Sequence, residues 1–594
     1  MTVPGPARCR LLALALAAAL GCAACGGIPA TGPVVAGHAG DLLVAHDVLS
    51  GGPQPADGPV AIVRGYLGNQ GNSQESYAVA RDYLVNGQRW SSDSVTIYPD
   101  QTALQITPLP RTAPDAVGVV RVRVSAPVVA TVDAWGAYHG VRSGGQRWSQ
   151  VLELTRVAGL GWRILNPPDG RVLSQADFDY TFVKFPVYFP DRSGSYLLPD
   201  LRWFVRGTAA TLLVQALLQG PSPWLAPAVT TGVPPGTKLA VPVVVSEDVA
   251  MIDLTPQALA ANPLQRQFLA AQLRATLAAA GVSNLRLTVH QAVFDTGSQP
   301  GAVVAGESAP SLTADPQIDP RPLVLDSSGH IARIEAGVAG TAIVPVKGLD
   351  RLAVPGAALP GSDATGSSFT VLAAERGTVL QAVPSQIGPA KVLITGKQLT
   401  APSTDPRGWV WSASGRGDGA VFVAKPGDRS PATLKVDWLK GLDVVSLKVS
   451  RDGARVLVGA NGKGRGWLYA ASVVREPAGQ PGEIGQPVDL LPDLRDVVDA
   501  SWVDALNVAV IGRRAGAGSP NRPLTWALPV GGPAVGLAPL PVPGARTIAG
   551  DGPGQIWVAT FTGQIFEFTG QLSERVPGDW SKVPVHATWV SMPG

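Results

Sequence analysis

Hydrophobic residues follow four different spacings along this chain. Residues 11–20 (LLALALAAAL) form an unbroken apolar run. Residues 26–57 hold no sustained period and are rich in Gly, Pro, Ala and Asp, the composition of a tether and not of a core. From Gly58 to about Phe294 helical and strand spacings alternate. Beyond about Ser311 the helical period vanishes, and short β runs alternate with Gly, Asp and Pro turns.

The alternating stretch resolves into two α+β units. In the first, residues 58–190, Pro59 opens a short helix with Ile62, Tyr66 and Leu67 on one side. Residues 76–84 set Tyr77, Ala80, Tyr83 and Leu84 at helical spacing. Strands are expected at 95–98, 118–124, 126–132, 149–154 and 161–164. In the second of these, Val120, Val122 and Val124 alternate with Arg121 and Arg123, so one face is wet. Helices followed by a curved antiparallel sheet resemble the cone of the nuclear-transport-factor-2-like (NTF2-like) class. No acid–His pair marks that cone as catalytic.

In the second unit, residues 193–300, a helix over 208–219 turns Leu212, Leu213, Ala216 and Leu217 inward and stops at Gly220-Pro221. Strands are expected at 238–245, 249–254 and 285–289. A helix over 264–280 carries Leu269, Leu273 and Leu277 on one face. The strings VQALLQGPSPW, PPGTKL, MIDLTP and FLAAQLRATLAAAG, in that order, resemble the GerMN (germane) domain.

The C-terminal unit, residues 311–594, repeats. Strands centred on Val410, Leu457, Ala509 and Trp557 are 47, 52 and 48 residues apart, and each follows an aspartate: Asp405, Asp452, Asp504, Asp551. Each is followed at hairpin distance by another strand, at 421–423, 467–469, 524–526 and 565–566. A hairpin-rich unit of this period is a β-propeller blade, and the length predicts about six. The fold class is therefore multidomain: two small α+β domains, NTF2-like and GerMN-like, then an all-β propeller.

Composition changes the picture mainly at the N-terminus. Arg8 and Arg10 precede the apolar run and small residues follow it, which is a secretory signal peptide. About ten apolar residues are too few to span a bilayer. Cys22 and Cys25 stand just after the run, each behind a small residue, which resembles the lipobox of bacterial lipoproteins. Residues 1–24 are then the signal and 25–57 the tether, with the lipid on Cys25 (Cys22 being the alternative). Cys9 falls in the signal, so no disulfide or catalytic thiol is expected in the body. Forty-seven basic against 44 acidic residues give a net charge of +3 without a basic stripe, which argues against nucleic acid.

Catalytic and cofactor motifs are lacking. His38, His46, His139, His290, His330 and His586 are scattered, so no metal or cofactor is expected. No G-x-S-x-G elbow or P-loop occurs, and the glycine-rich Lys463 has hairpin spacing. Asp489, Asp493, Asp496, Asp499 and Asp504 are expected in a solvated loop before a blade. The Asp-Gly pairs read as turns and not as calcium loops. Nine tryptophans lie in the propeller; alternation assigns most of them to packing. The chain is therefore not read as an enzyme.

The order of parts, with the run CGGIPATGPV from Cys25, resembles the LpqB family of actinobacterial lipoproteins. That resemblance implies a protein anchored by its lipid at the outer face of the cell membrane. There it would be an accessory partner of a sensor histidine kinase of the MtrB type, whose response regulator is MtrA. The alternative is an envelope lipoprotein that binds cell-wall glycan without a kinase.

Overall fold

A computed structural model describes residues 51–593 except 72–76, 111–117, 143, 207–208, 247, 297–311, 317, 338–339, 346–357, 363–367, 374–376, 385–390, 429, 516–521, 538–539, 541–542, 553, 571 and 573–577. Cys22, Cys25 and the signal peptide lie outside the described residues.

The first domain begins with helix α1 (Pro59–Gly68), whose first turn holds the proline. Helix α2 (Ala78–Asp82) is shorter than the spacing predicts. Tyr77 in front of it has φ 66°, a left-handed conformation that no helix can run through. The strands are β1 (Val95–Tyr98), β2 (Gln105–Pro108), β3 (Val120–Pro127), β4 (Ala130–Val132), β5 (Tyr138–Gly140), β6 (Arg147–Val157), β7 (Gly161–Ile164) and β8 (Arg171–Ser174), followed by helix α3 (Gln175–Thr181). They form two four-stranded sheets, β5-β4-β1-β8 and β2-β3-β6-β7, where a single antiparallel sheet was expected. The β1–β8 pair is parallel, a pairing between segments about 75 residues apart that no local pattern signals. Ile62 and Tyr66 of α1 pack against Val122, Val124, Leu152 and Leu154, so the valines of β3 face inward as their alternation requires.

The second domain is built on β9 (Phe182–Pro190) and β10 (Leu197–Val205), a long antiparallel hairpin absent from the sequence expectations. Helix α4 (Ala209–Gln219) and helix α5 (Pro263–Ala278) pack on it together with a sheet of order β11 (Val244–Ser246), β12 (Val249–Leu254), β13 (Asn284–Val289), β14 (Ala292–Val293). Helix α5 starts with a reciprocal cap: Asn262 accepts from the amide of Gln265, and the Gln265 side chain accepts from the amide of Asn262. Leu269, Leu273 and Leu277 are fully buried beside Phe185, Val187 and Phe189 of β9. Each such leucine contributes roughly 1.5–3 kcal/mol. The expected strand over 238–245 shrinks to β11 and an isolated bridge from Leu239 to Leu254. Pro242 has no amide to donate there.

Among the described residues the propeller has six blades, four-stranded except for the fourth, where the short strand Val488–Asp489 adds a fifth. The second to fifth are separate sheets, beginning with Ala358–Ser362, Ser403–Thr404, Asp443–Val449 and Leu494–Trp502. The last strand, Asp579–Ser591, is shared between the two remaining blades. Its first half pairs with Gln564–Thr569 of the sixth blade, and its second half pairs with Leu323–Asp326 of the first. The C-terminus thus supplies the inner strand of the first blade and closes the ring, leaving only the short outer strand of each blade as an edge. The strands centred on Val410, Leu457, Ala509 and Trp557 are all second strands of blades, as the repeat predicts.

Candidate functional site

One turn recurs through all three domains. In Asp133–Gly136, Asp191–Gly194, Asp326–Gly329 and Asp405–Gly408 the glycine amide donates to the aspartate carbonyl, at 2.9, 2.9, 3.0 and 3.0 Å. Each glycine has φ between 69° and 81°, where a side chain would be strained. One aspartate carboxylate oxygen accepts the amide four residues on in each case. The carboxylates are thus engaged by backbone donors, an Asx turn and not a cation loop. Among the described residues no group of three or more His, Cys, Asp or Glu side chains is placed to hold a metal.

The turn at Asp191 joins the domains. It is the tip of the β9–β10 hairpin, and Asp191 is 3 % exposed. Its carboxylate accepts the amides of Ser195 at 2.7 Å and Tyr196 at 2.8 Å. From the propeller, Arg407 Nη2 donates to Asp191 Oδ2 at 2.9 Å and to Ser193 Oγ at 2.6 Å. Arg407 itself belongs to the same kind of turn in the third blade, so two copies of the motif meet. Behind it Arg475 Nη2 donates to Asp405 Oδ2 at 2.6 Å, and the indole of Trp411 donates to the same oxygen at 3.1 Å. A cleft of about 370 Å³ lies here, lined by Asp191, Ser193, Arg407, Arg475 and Glu476 among others.

The base of the hairpin holds the first domain. Trp203 Nε1 donates to the carbonyl of Gly531 in the fifth blade at 2.9 Å, and its amide donates to Gly136 at 2.8 Å. Its ring packs on Phe178 and Tyr138, with centroids 4.9 and 5.9 Å apart. Leu197 donates to Thr313, just ahead of the first blade, at 3.0 Å. One hairpin therefore touches the first domain, the second domain and the propeller.

Two arginines buried in the fold are paired with buried aspartates. Arg202 is fully buried and donates to Asp200 at 2.7 Å, to Ala216 at 3.1 Å and to Gly220 at 2.6 Å, so it also caps the carbonyl end of α4. Arg455 pairs with Asp452 at 2.5 Å, both almost fully buried. Burial pushes Asp452 up, but the charge and hydrogen bond of Arg455, with those from Ser450 and Ala454, bring it below the usual carboxylate range. Burial holds Asp315 and Asp551 above that range and lowers Arg451. Arg451 spends its Nη2 on the carbonyls of Val503 and Gly550, both at 3.0 Å.

The five aspartates expected in a solvated loop are not there. Asp496 and Asp499 lie on Leu494–Trp502, the inner strand of the fifth blade. Asp489 pairs with Arg465 at 2.5 Å and Asp493 with Arg514 at 2.8 Å, and Asp496 pairs with Arg513. Asp499 accepts the amide of Ile548 at 3.0 Å, and Asp504 accepts that of Leu506 at 2.7 Å. Strand pairing within one blade brings the arginines to them: Asp496 stands directly opposite Arg513, and Leu494, next to Asp493, opposite Arg514. Lys463, φ 52°, sits in a hairpin turn as expected. Trp411, Trp502, Trp557 and Trp580 are buried, and Trp409, Trp438, Trp467, Trp526 and Trp589 are half-buried. Sequence reasoning missed Asp191 and Arg407. The Asp-x-x-Gly spacing could have located both turns, but not their meeting across 216 residues.

Comparison with known proteins matches the chain in three consecutive segments. Residues 52–179 match the family "Lipoprotein LpqB, N-terminal domain", residues 186–292 match "Sporulation and spore germination" (Germane), and residues 329–590 match "Lipoprotein LpqB beta-propeller domain". The Lipoprotein LpqB of Thermobifida fusca is 28 % identical over 562 residues, covering 83 % of this chain and 85 % of that protein. Those of Cutibacterium acnes and Streptomyces coelicolor are 26 % and 25 % identical, covering 84 % and 78 % of this chain and 86 % and 80 % of their own. With these domains present in this order, the chain belongs to the LpqB lipoprotein family.

Proposed function

We propose that the protein is an envelope lipoprotein anchored through Cys25 at the extracytoplasmic face of the cell membrane. There its three-domain head serves as a non-catalytic accessory partner of a sensor histidine kinase of the MtrB type. The observation that carries this reading is the match to lipoproteins across all three head domains, joined to a signal-like leader that ends at a cysteine. Among the described residues no helix is long and apolar enough to cross a membrane. The hairpin-locked head supports the partner role. A rigid body tethered at the membrane is held at high effective concentration around a membrane kinase. It biases that kinase by the difference in its affinity for the two kinase states.

The test is metabolic labelling with a fatty-acid analogue in wild type, Cys22→Ala, Cys25→Ala and the double variant, followed by capture of membrane partners. Loss of label and membrane retention in Cys25→Ala, with a sensor kinase captured by wild type only, is the expected result. Label that persists until Cys22 is changed moves the anchor to Cys22. Capture of wall polymer with no kinase, and no change of kinase output on deletion, would replace the accessory role with the glycan-binding one.

A further inference from the structure

The open face of one sheet in the first domain is basic. Its strands are ordered β2-β3-β6-β7, and α1 covers the inner side through Val122, Val124, Leu152 and Leu154. Residues of opposite parity point outward. Arg121 and Arg123 lie two apart on β3, and Arg147 of β6 stands opposite Pro127, on the same side. Arg123 and Arg147 are exposed, as are Gln105, Thr107 and Ser149 around them. Arg121 pairs with Glu153 at 3.1 Å. Among the described residues no carboxylate pairs with Arg123 or Arg147. Arg147 donates instead to the neutral Gln105 Oε1 at 2.9 Å and Ser125 Oγ at 3.3 Å. The stripe from Arg121 to the Pro127–Arg147 pair is about 20 Å long.

Two further observations say what faces it. The described chain enters the head at this sheet: Tyr83 Oη donates to the carbonyl of Gly51 at 3.0 Å, and the backbone of Pro55 lies against Gly161, the first residue of β7. The covalent length from Cys25 to Gly51 is at most about 90 Å, so a lipid on Cys25 keeps this domain near the bilayer. The rest of the head is met through the other sheet and its flank, where Gly136 binds Trp203 and Gly140 lies beside Pro492.

We propose that the outer face of β2-β3-β6-β7, with Arg121, Arg123 and Arg147, docks on anionic phospholipid headgroups and sets the head on the membrane first domain down. This rests on the lipid-anchor reading above for its geometry. With acyl chains supplying the attachment, the arginines supply orientation: within a Debye length, about 8–10 Å, each adds attraction to a negative surface. The propeller is then held away from the bilayer.

The test uses the mature chain from residue 25 onward carrying Cys25→Ala, which has neither the apolar leader nor a lipid, floated with phosphatidylcholine vesicles or with vesicles also containing phosphatidylglycerol. Capture only by the anionic vesicles, weakened by salt, is expected. Arg123→Gln should lower the partition coefficient about fivefold, and the triple change Arg121→Gln, Arg123→Gln, Arg147→Gln about 100-fold. The single variant breaks no ion pair, so it stands if the triple variant folds poorly. Equal capture by neutral vesicles, no capture by anionic ones, or unchanged capture of both variants would overturn the proposal. Because this chain bears no lipid, its result is independent of the labelling experiment, and the two readings fail separately.

Discussion

Truncation of Arg407 tests whether the hairpin joint is held by its cross-domain ion pair. Arg407→Ala deletes the 2.9 Å bond to Asp191 and the 2.6 Å bond to Ser193. A hydrogen bond with one charged partner contributes roughly 1.5–3 kcal/mol. The Arg407 side chain is 25 % exposed, so water screens part of the loss, and Asp191 keeps its own turn donors. The expected cost to the joint is about 2 kcal/mol, or roughly 30-fold in the population of the opened state. Asp191→Ala also removes the acceptor of the Ser195 and Tyr196 amides, which are exposed and half-buried and can turn in part to water, and should cost about 3 kcal/mol. The double variant should then show a coupling energy of about 1.5–2 kcal/mol. The assay is amide hydrogen exchange, which reads local opening in a protein too large for one global transition. Arg407→Ala should speed exchange about 30-fold in both partner turns, while Ser195 and Tyr196 stay protected relative to Asp191→Ala. Unchanged exchange at residues 191–197 and 405–409 in Arg407→Ala would refute the reasoning. So would equal exposure of Ser195 and Tyr196 in the two single variants.

Four further outcomes follow from the same geometry. Arg455→Met leaves Asp452 buried without its cation and should cost about 3–5 kcal/mol, seen as a lowered denaturation midpoint of the propeller. Gly232→Ala places a Cβ 2.3 Å from the backbone of Gln265 and Leu269, so α5 must shift, and its exchange protection should fall by a few kcal/mol. Trp203→Ala removes the bond to Gly531 and the stack on Phe178, and should cost about 3–5 kcal/mol, read as faster exchange at residues 136–140 and 531. Asp319 is held down to about 2 by its hydrogen bond with Arg321 and the charge of Arg333. A depressed carboxylate stabilises above its unfolded pKa near 4 and loses that contribution as pH falls toward 2. Its NMR titration midpoint should sit near 2 and rise toward the ordinary value in Arg321→Ala.

Local pattern determined much of this protein. The spacing of Ile62, Tyr66 and Leu67 placed α1, that of Leu269, Leu273 and Leu277 placed α5, and the alternation of Val122 and Val124 fixed which side of β3 is wet. The repeat of strands behind aspartates located the second strand of four blades, because each blade rebuilds the same hairpin and turn. These features obey short-range rules: period, cap and turn chemistry act within a few residues.

What tertiary structure decided is everything that needs two distant segments. The β1–β8 parallel pair, the shared last strand that closes the ring, and the meeting of Arg407 with Asp191 depend on loop closures that no single stretch encodes. The β9–β10 hairpin escaped notice because Phe182–Pro190 and Leu197–Val205 are buried by neighbours on several sides, which erases the alternation of a half-exposed strand. The basic face of the first domain was half legible. Arg121 and Arg123 could be assigned to the wet side of β3 from their parity alone. That Arg147 joins them, and that the chain from the anchor enters beside the same sheet, follow from the register of β3 with β6 and the packing of Pro55 on Gly161. A sequence carries parity and turns; which faces meet, and which are left to the solvent or the membrane, is set by the long-range pairing that minimises exposed apolar surface and unpaired charge.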